Sequence, residues 1–338
     1  ERAEAELRTA EEAARAGGDD ACRVRAMCVR AGVLGDRGGA AVSRAICTEA
    51  LEIAGRTHDV AVQRTAQLNL LRALVALGDV KEALRVVEAA IALSPGFTNV
   101  NEEQALVEAR CTIALMAGDL GIALEAAPAM LAVSRRAGET YRAVSGLVAP
   151  AEALLLMDSG RADAAALLDE AEARLGDAHL DDMIFTIGAR RAAIALLDGD
   201  PARALAILSP LLDRPAWRHQ DRLHADWIHA LSRHRLGEPA ELAAPPEGAN
   251  PEPATLMHAA RLEIHGDTDG ALAWFEGAAA PPLERLHLAL ALLRHLPAGA
   301  ERDRVRAEAG TLARRLHDSL AAHPADAAAW RQQFAPLF

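Results

Sequence analysis

The chain has 338 residues, 51% apolar on a broad count and 3% aromatic, and a formal net charge of −12 at pH 7. Its single lysine, Lys81, lies in Gly78-Asp79-Val80-Lys81-Glu82. That excludes a GxxxxGK[ST] phosphate loop and leaves Schiff-base chemistry only one candidate residue. The acidic balance argues against nucleic acid as a partner, and the absence of an apolar run near ~18 residues argues against a membrane span.

The predicted elements are all helical. A lone helix is expected over 2–16, followed by helical hairpins over 20–55, 58–94, 100–137, 139–175, 180–212 and 217–242, then 251–279 and 281–320. Between breaks the apolar residues keep helical spacing, as in Leu68, Leu70, Leu71, Leu74, Val75 and then Ala83, Leu84, Val87, Ala90, Ile91. The breaks fall at Gly35, Gly78, Gly118, Gly160, Gly199, Gly237 and Gly266, with gaps of 43, 40, 42, 39, 38 and 29 residues. Spacing of this kind marks an array of equivalent units. Gly closes one helix in the left-handed conformation, and a following Asp caps the next. Asp79 with Glu82 reads as a capping box, and Asp200-Pro201 places proline at a helix start. Pro128 and Pro150 fall inside predicted helices and are expected to kink them.

The organisation is read as a regular array over 1–237, a Pro-rich irregular loop over 238–254, and shorter irregular hairpins with a cap over 255–338. The loop holds Pro239, Pro245, Pro246, Pro251 and Pro253, so the second helix of that unit is expected to be short or lost. At the end of the chain, Trp330, Phe334 and Phe338 form one stripe. It is expected either to cover the last hairpin or to belong to an interface.

After the turns, a small residue stands five positions past the Gly and a larger one four further on. The pattern reads Gly78, Ala83, Val87, Ala90, Pro95; Gly199, Ala204, Leu208; Gly266, Ala271, Phe275; and, more weakly, Gly118, Ala123, Ala127. In these positions the chain resembles the tetratricopeptide (TPR) repeat family over roughly residues 19–280. The period is near 40 instead of ~34, and Leu and Ala replace the aromatic residues usual in first helices. In style the units resemble the superhelical sensor regions of bacterial signalling ATPases and large LuxR-type regulators. The resemblance implies an all-α, right-handed α-solenoid of about eight hairpins that binds along its concave face.

Carried over from the family, the concave positions of the unit ending at Gly237 are His224, Trp227, Leu231 and His234, one helical stripe. An indole between two imidazoles suits a peptide or small ligand, and Trp217 extends the stripe. In the preceding unit the same positions are Thr186, Ala189, Ala193 and Leu196, with Arg190 alongside as a candidate anion contact. The candidate binding residues are therefore His224, Trp227, His234, Arg190 and Trp217, weighed against an ordinary packing role for each.

His219, His224, His229 and His234 recur every five residues. A step of five turns the side chain by about 140°, so no two neighbours share a face as metal ligands. No GxSxG, GxGxxG or Cys/His pairing suggests catalysis, and no cofactor is expected. Cys22, Cys28, Cys47 and Cys111 lack a CxxC pair and a preceding secretory signal, which points to buried thiols in a reducing cytoplasm. The start at Glu1 suggests a piece of a longer protein with an effector domain elsewhere. The reading is a non-catalytic sensor or scaffold region of a bacterial signalling or transcription-regulatory protein, taking a protein, peptide or small-molecule effector. A stand-alone adaptor and a helical enzyme using the concave groove stay open as alternatives.

Overall fold

A computed structural model describes residues 2–35, 39–93, 100–136, 138–155, 157, 160–213, 219–246, 249, 251–277 and 280–338. Among these residues the chain forms 17 α-helices and a closing 3-10 turn, and no strand. Its contacts divide it into two compact units that meet between Ile113 and Ala114, inside one helix.

The first unit contains α1 (Arg2–Ala16), α2 (Asp20–Gly35), α3 (Ala40–Thr57), α4 (Val60–Ala76), α5 (Val80–Ala92) and the start of α6 (Val100–Ala117). Successive helices from α1 to α5 pack on one another, and α2 also reaches α4. Val24, Met27, Cys28, Cys47, Leu74, Val87 and Ile113 share their core. α1 buries no side chain. Arg30 holds it to α2 through a two-pronged contact with Glu11, at 2.5 and 3.0 Å.

The second unit contains α7 (Leu120–Arg136), α8 (Thr140–Leu155), α9 (Arg161–Leu175), α10 (Asp181–Leu197), α11 (Pro201–Leu212) and α12 (His219–Arg235). It continues through α13 (Pro251–His265), α14 (Thr268–Gly277), α15 (Pro282–His295), α16 (Ala300–Ser319) and α17 (Pro324–Gln333). α7 and α8 run on past Pro128 and Pro150. Besides neighbours in sequence, α8 packs on α10, α10 on α12 and α13 on α15. The first helices of the hairpins thus form one inner layer.

The turns follow the expected mechanism. Gly78, Gly118 and Gly199 have φ near 70–80°. The next amide bonds back across the helix end, as in Asp79 to Leu74 (2.9 Å) and Asp200 to Ala195 (2.8 Å). The same Asp then accepts from the new helix: Asp119 from Ile122 (3.0 Å) and Asp200 from Arg203 (2.9 Å). The expected capping box forms only by half. Asp79 accepts from the Glu82 amide (3.4 Å), but the Glu82 carboxylate pairs with Arg85 and does not return to Asp79. Ala83, Ala204 and Ala271 are fully buried, as a close helix crossing requires.

The Pro-rich segment replaces a helix with a strap. Residues 238–246 have no regular structure, and α13 starts at Pro251, so Pro251 and Pro253 sit in its first turn. Leu242, 5% exposed, anchors the strap. Its carbonyl accepts from Arg261 (2.5 Å) and its amide donates to His265 (3.3 Å), both on α13. With the return made by a strap, α12 and α13 lie side by side and parallel. His224 meets Glu252 at one end and Arg235 meets Glu263 at the other, each 28 residues apart in sequence.

The second unit also closes on itself. The Leu120 amide donates to the Ser319 hydroxyl (3.1 Å), and Arg315 donates to the Ala117 carbonyl (2.8 Å). Leu120 and Met157 share a core with Leu286, Leu292, Leu316 and Trp330. A β-carbon on Gly121 would stand 2.2 Å from the Ser319 carbonyl oxygen, so only glycine permits this approach. Trp330 and Phe334 are buried, Trp330 donating to the Ala313 carbonyl (3.1 Å), whereas Phe338 stays largely exposed. Phe338 still stands edge-on to His317 of α16, with 5.4 Å between ring centres, so the tail lies over α16 with two buried rings and one partly exposed.

Candidate functional site

The inner layer of the second unit encloses a cavity of about 140 Å³. α8 contributes Glu152 and Leu155; α10 contributes Arg190, Ala193 and Leu197; α12 contributes His224, Trp227, Leu231 and Arg235. α13 adds Glu252, Leu256, Ala259, Ala260 and Glu263, and α15 adds His287, Ala291 and Arg294. Helical periodicity explains the set on α12: positions 224, 227, 231 and 235 return to one face in just over three turns.

One end of the cavity is rich in carboxylates. Arg190, 6% exposed, donates from Nε to Glu152 (2.7 Å), and its Nη2 also lies 3.9 Å from Asp221. Burial opposes the Arg190 charge, but Glu152, Glu252 and Asp221 outweigh it and raise its pKa. Its Nη1 is buried without a hydrogen-bond partner. Asp221 is held further by the Thr186 hydroxyl (3.3 Å).

His224 is the centre of a short relay. The Trp227 indole donates to His224 Nδ1 (3.4 Å), and His224 Nε2 meets Glu252 at 3.1 Å. Both ring nitrogens are committed, which fixes the orientation of the imidazole. Burial pushes the Glu252 carboxyl up, yet the pairing with His224 and the charge of Arg190 hold it well below the usual carboxylate range. Behind it, Glu284 is 6% exposed and its Oε2 lacks a hydrogen-bond partner. Burial, and then the neighbouring Glu252 charge, push Glu284 up to about 8.

The opposite end is guanidinium-rich. Arg235 grips Glu263 at 2.8 and 3.2 Å, and Arg294, 62% exposed in its side chain, stands 4.0 Å from the same carboxylate. Eleven residues of α12 separate His224 from Arg235, which places the two ends about 16 Å apart along the helix. Between them the wall is Trp227 and aliphatic side chains.

The structure brings Arg190, His224 and Trp227 together on the cavity wall. It leaves His234 off that wall, with Arg235 in its place. The same one-residue slip occurs on α10, where Leu197 lines the cavity in place of the expected Leu196. Three helical turns take 10.8 residues, so over these long helices the face returns at the eleventh residue instead of the tenth. Trp217 lies outside the described residues. Glu152, Glu252, Glu263 and Glu284 were not anticipated; Glu252 stands in the segment read as an irregular loop. The signal available for it is the shared 28-residue offset that pairs Glu252 with His224 and Glu263 with Arg235.

Three of the four cysteines are buried, but Cys22 is exposed, on the outer side of the first turn of α2. Burial pushes the thiol of Cys28 up to about 12 and that of Cys47 to about 11. Among the described residues no group of three or more His, Cys, Asp or Glu is placed to hold a metal ion, and no helix is long and apolar enough to cross a membrane. No protein-family model matches the sequence, and no curated protein matches it.

Proposed function

We propose that the chain is a non-catalytic binding region built as a TPR-like, superhelical array. It takes a small-molecule or peptide effector in the cavity of residues 114–338, as the sensor or scaffold part of a larger cytoplasmic bacterial signalling or transcription-regulatory protein. The observation that carries this reading is a cavity of about 140 Å³ walled by five helices of one inner layer, with Trp227 in the wall. Apolar lining with a few fixed polar groups is the usual composition of a ligand site. Its charged groups are paired with one another, Arg190 with Glu152, His224 with Glu252 and Arg235 with Glu263. Such pairing suits holding and orienting an occupant.

An occupant that touches five helices at once ties their spacing together. If it binds one arrangement of the inner layer more tightly than another, it shifts the array toward that arrangement. The test is a thermal-shift screen of the full chain against small metabolites and short peptides, repeated with Trp227→Ala. Hits that stabilise the parent chain and lose their effect in the variant support the reading, provided helicity is unchanged. Hits that stabilise both equally place binding elsewhere.

A further inference from the structure

The guanidinium-rich end of the cavity identifies a class of occupant, an inference that rests on the cavity being a binding site. Two guanidiniums, those of Arg235 and Arg294, stand here with one carboxylate, that of Glu263. Arg235 is committed to the protein. Its Nε and Nη2 grip Glu263 at 2.8 and 3.2 Å, and its Nη1 donates to the Leu196 carbonyl at 3.4 Å. Burial opposes the Glu263 charge, but the hydrogen bond from Arg235 and the charges of Arg235, Arg294 and His234 outweigh it and lower its pKa. Glu263 is therefore ionised at neutral pH and already gripped. Among the described residues Arg294 has only a 4.0 Å ion pair with that same carboxylate, beyond hydrogen-bond distance. One positive charge is left over at this end, on a rigid fork of five donors.

The other end of the cavity presents no such open fork, since Glu152 meets Arg190 and Glu252 meets His224. Arg294 keeps 62% of its side-chain surface open, so it stands at the rim, where an entering group reaches it from solvent. Inward from the rim the wall is apolar. Ala291 lies one turn away on α15, Leu231 and Trp227 lie one and two turns from Arg235 on α12, and Leu256 and Ala259 come from α13. An apolar cavity of about 150 Å³ takes one benzene ring. At about 140 Å³ this one suits a body of a single ring or a short alkyl chain.

The geometry points to a small organic carboxylate as the occupant, its head on Arg294 beside Arg235 and its apolar body against Leu231 and Trp227. A carboxylate accepts two parallel N–H bonds from a guanidinium fork, and it carries the single negative charge that balances this end. A ring in the body also gains an aromatic contact with the Trp227 indole. An ammonium at the same place would meet two guanidiniums. A hydroxyl would accept one bond and balance no charge.

The experiment is calorimetric titration of the full chain at pH 7 with three single-ring probes, 3-phenylpropanoate, 3-phenylpropan-1-ol and 3-phenylpropylamine. The carboxylate is expected to bind once per chain, about fivefold tighter than the alcohol, with the amine weakest. Arg294→Gln should lower the carboxylate affinity about fivefold and leave the alcohol unchanged. Glu263→Gln removes the acid that competes for both guanidiniums and should raise the carboxylate affinity about fivefold, again without moving the alcohol. The alcohol affinity doubles as the folding check, since a variant without the cavity would lose both probes. Arg306→Gln removes the same charge from the exposed face of α16 and should leave carboxylate binding as it was. Equal affinity for carboxylate and alcohol, an amine that binds tightest, or full carboxylate affinity in Arg294→Gln overturns the carboxylate and leaves the binding site standing. So does weaker carboxylate binding in Glu263→Gln, or an equal loss in Arg306→Gln. Binding of none of the three probes also overturns the carboxylate, and the Trp227→Ala comparison then decides the binding reading separately.

Discussion

Replacing Glu284 with Gln removes a carboxyl whose burial favours the protonated form at neutral pH. Its pKa is raised from 4.5 to about 8 in the folded chain, chiefly by burial and then by the Glu252 charge. Between those two values the unfolded chain gives up the proton while the folded chain retains it. Stability therefore falls as pH rises through this window, by about 1.4 kcal/mol per unit from this group, and stops falling above about pH 8. Glu252 does not contribute to the slope there, because its own pKa is lowered and it is ionised in both states. From pH 6 to pH 8 the parent chain should lose about 2–3 kcal/mol that Glu284→Gln keeps. Urea unfolding at pH 6, 7 and 8 measures this directly. All four tryptophans lie between residues 217 and 330, so indole fluorescence follows the second unit alone. The two proteins share every other ionisable residue, so the difference between the two curves is what reports on Glu284. Parallel pH profiles for the two proteins would refute the reasoning.

Two further outcomes are expected. Gly121→Ala places a methyl group 2.2 Å from the Ser319 carbonyl oxygen and must push α7 and α16 apart. It should cost about 1–3 kcal/mol in the second unit, although alanine favours helix by up to about 1 kcal/mol, and stabilisation in urea unfolding would contradict the closed arrangement. With a thiol reagent at pH 8, the native chain should show one accessible cysteine, Cys22, reacting more slowly than a free thiol because its hydrogen bond to Asp19 and the charge of that carboxylate raise its pKa. Cys28 and Cys47, raised to about 12 and about 11 by burial, and the buried Cys111 should react only on unfolding. Reaction of Cys28 or Cys47 at the rate of Cys22 would show that the α2–α3 core opens readily.

The turns were legible in the sequence because their causes are local. Gly-Asp pairs close one helix and cap the next within five residues, and Ala83, Ala204 and Ala271 are small where the following crossing is tight. The inner face was legible on α12, where His224, Trp227 and Leu231 fall on it and only His234 gives way to Arg235; on α10, Ala193 and the neighbouring Arg190 fall on it, whereas Thr186, Ala189 and Leu196 do not. What stayed hidden depended on where distant segments meet. Five prolines announced that a helix was missing, but not that a strap pinned by Arg261 and His265 would bring α12 and α13 side by side. Without that placement, Glu252 reads as a loop residue and Glu284 as one more helical acid. Closure was equally invisible, since Ser319 and Leu120 are 199 positions apart in sequence.

Closure also constrains how this unit can vary. An open row of hairpins tolerates the gain or loss of a repeat, because each unit touches only its neighbours and the ends are free. Here residues 117–121 and 315–319 must arrive at the same place. Excising a hairpin such as 181–213 would leave the Leu120 amide and the Ala117 carbonyl without their partners and expose Leu120 and Met157 to water. The repeat number is thus a fixed quantity in residues 114–338, and new variants must arise by changing side chains on the inner wall, not by adding or dropping units.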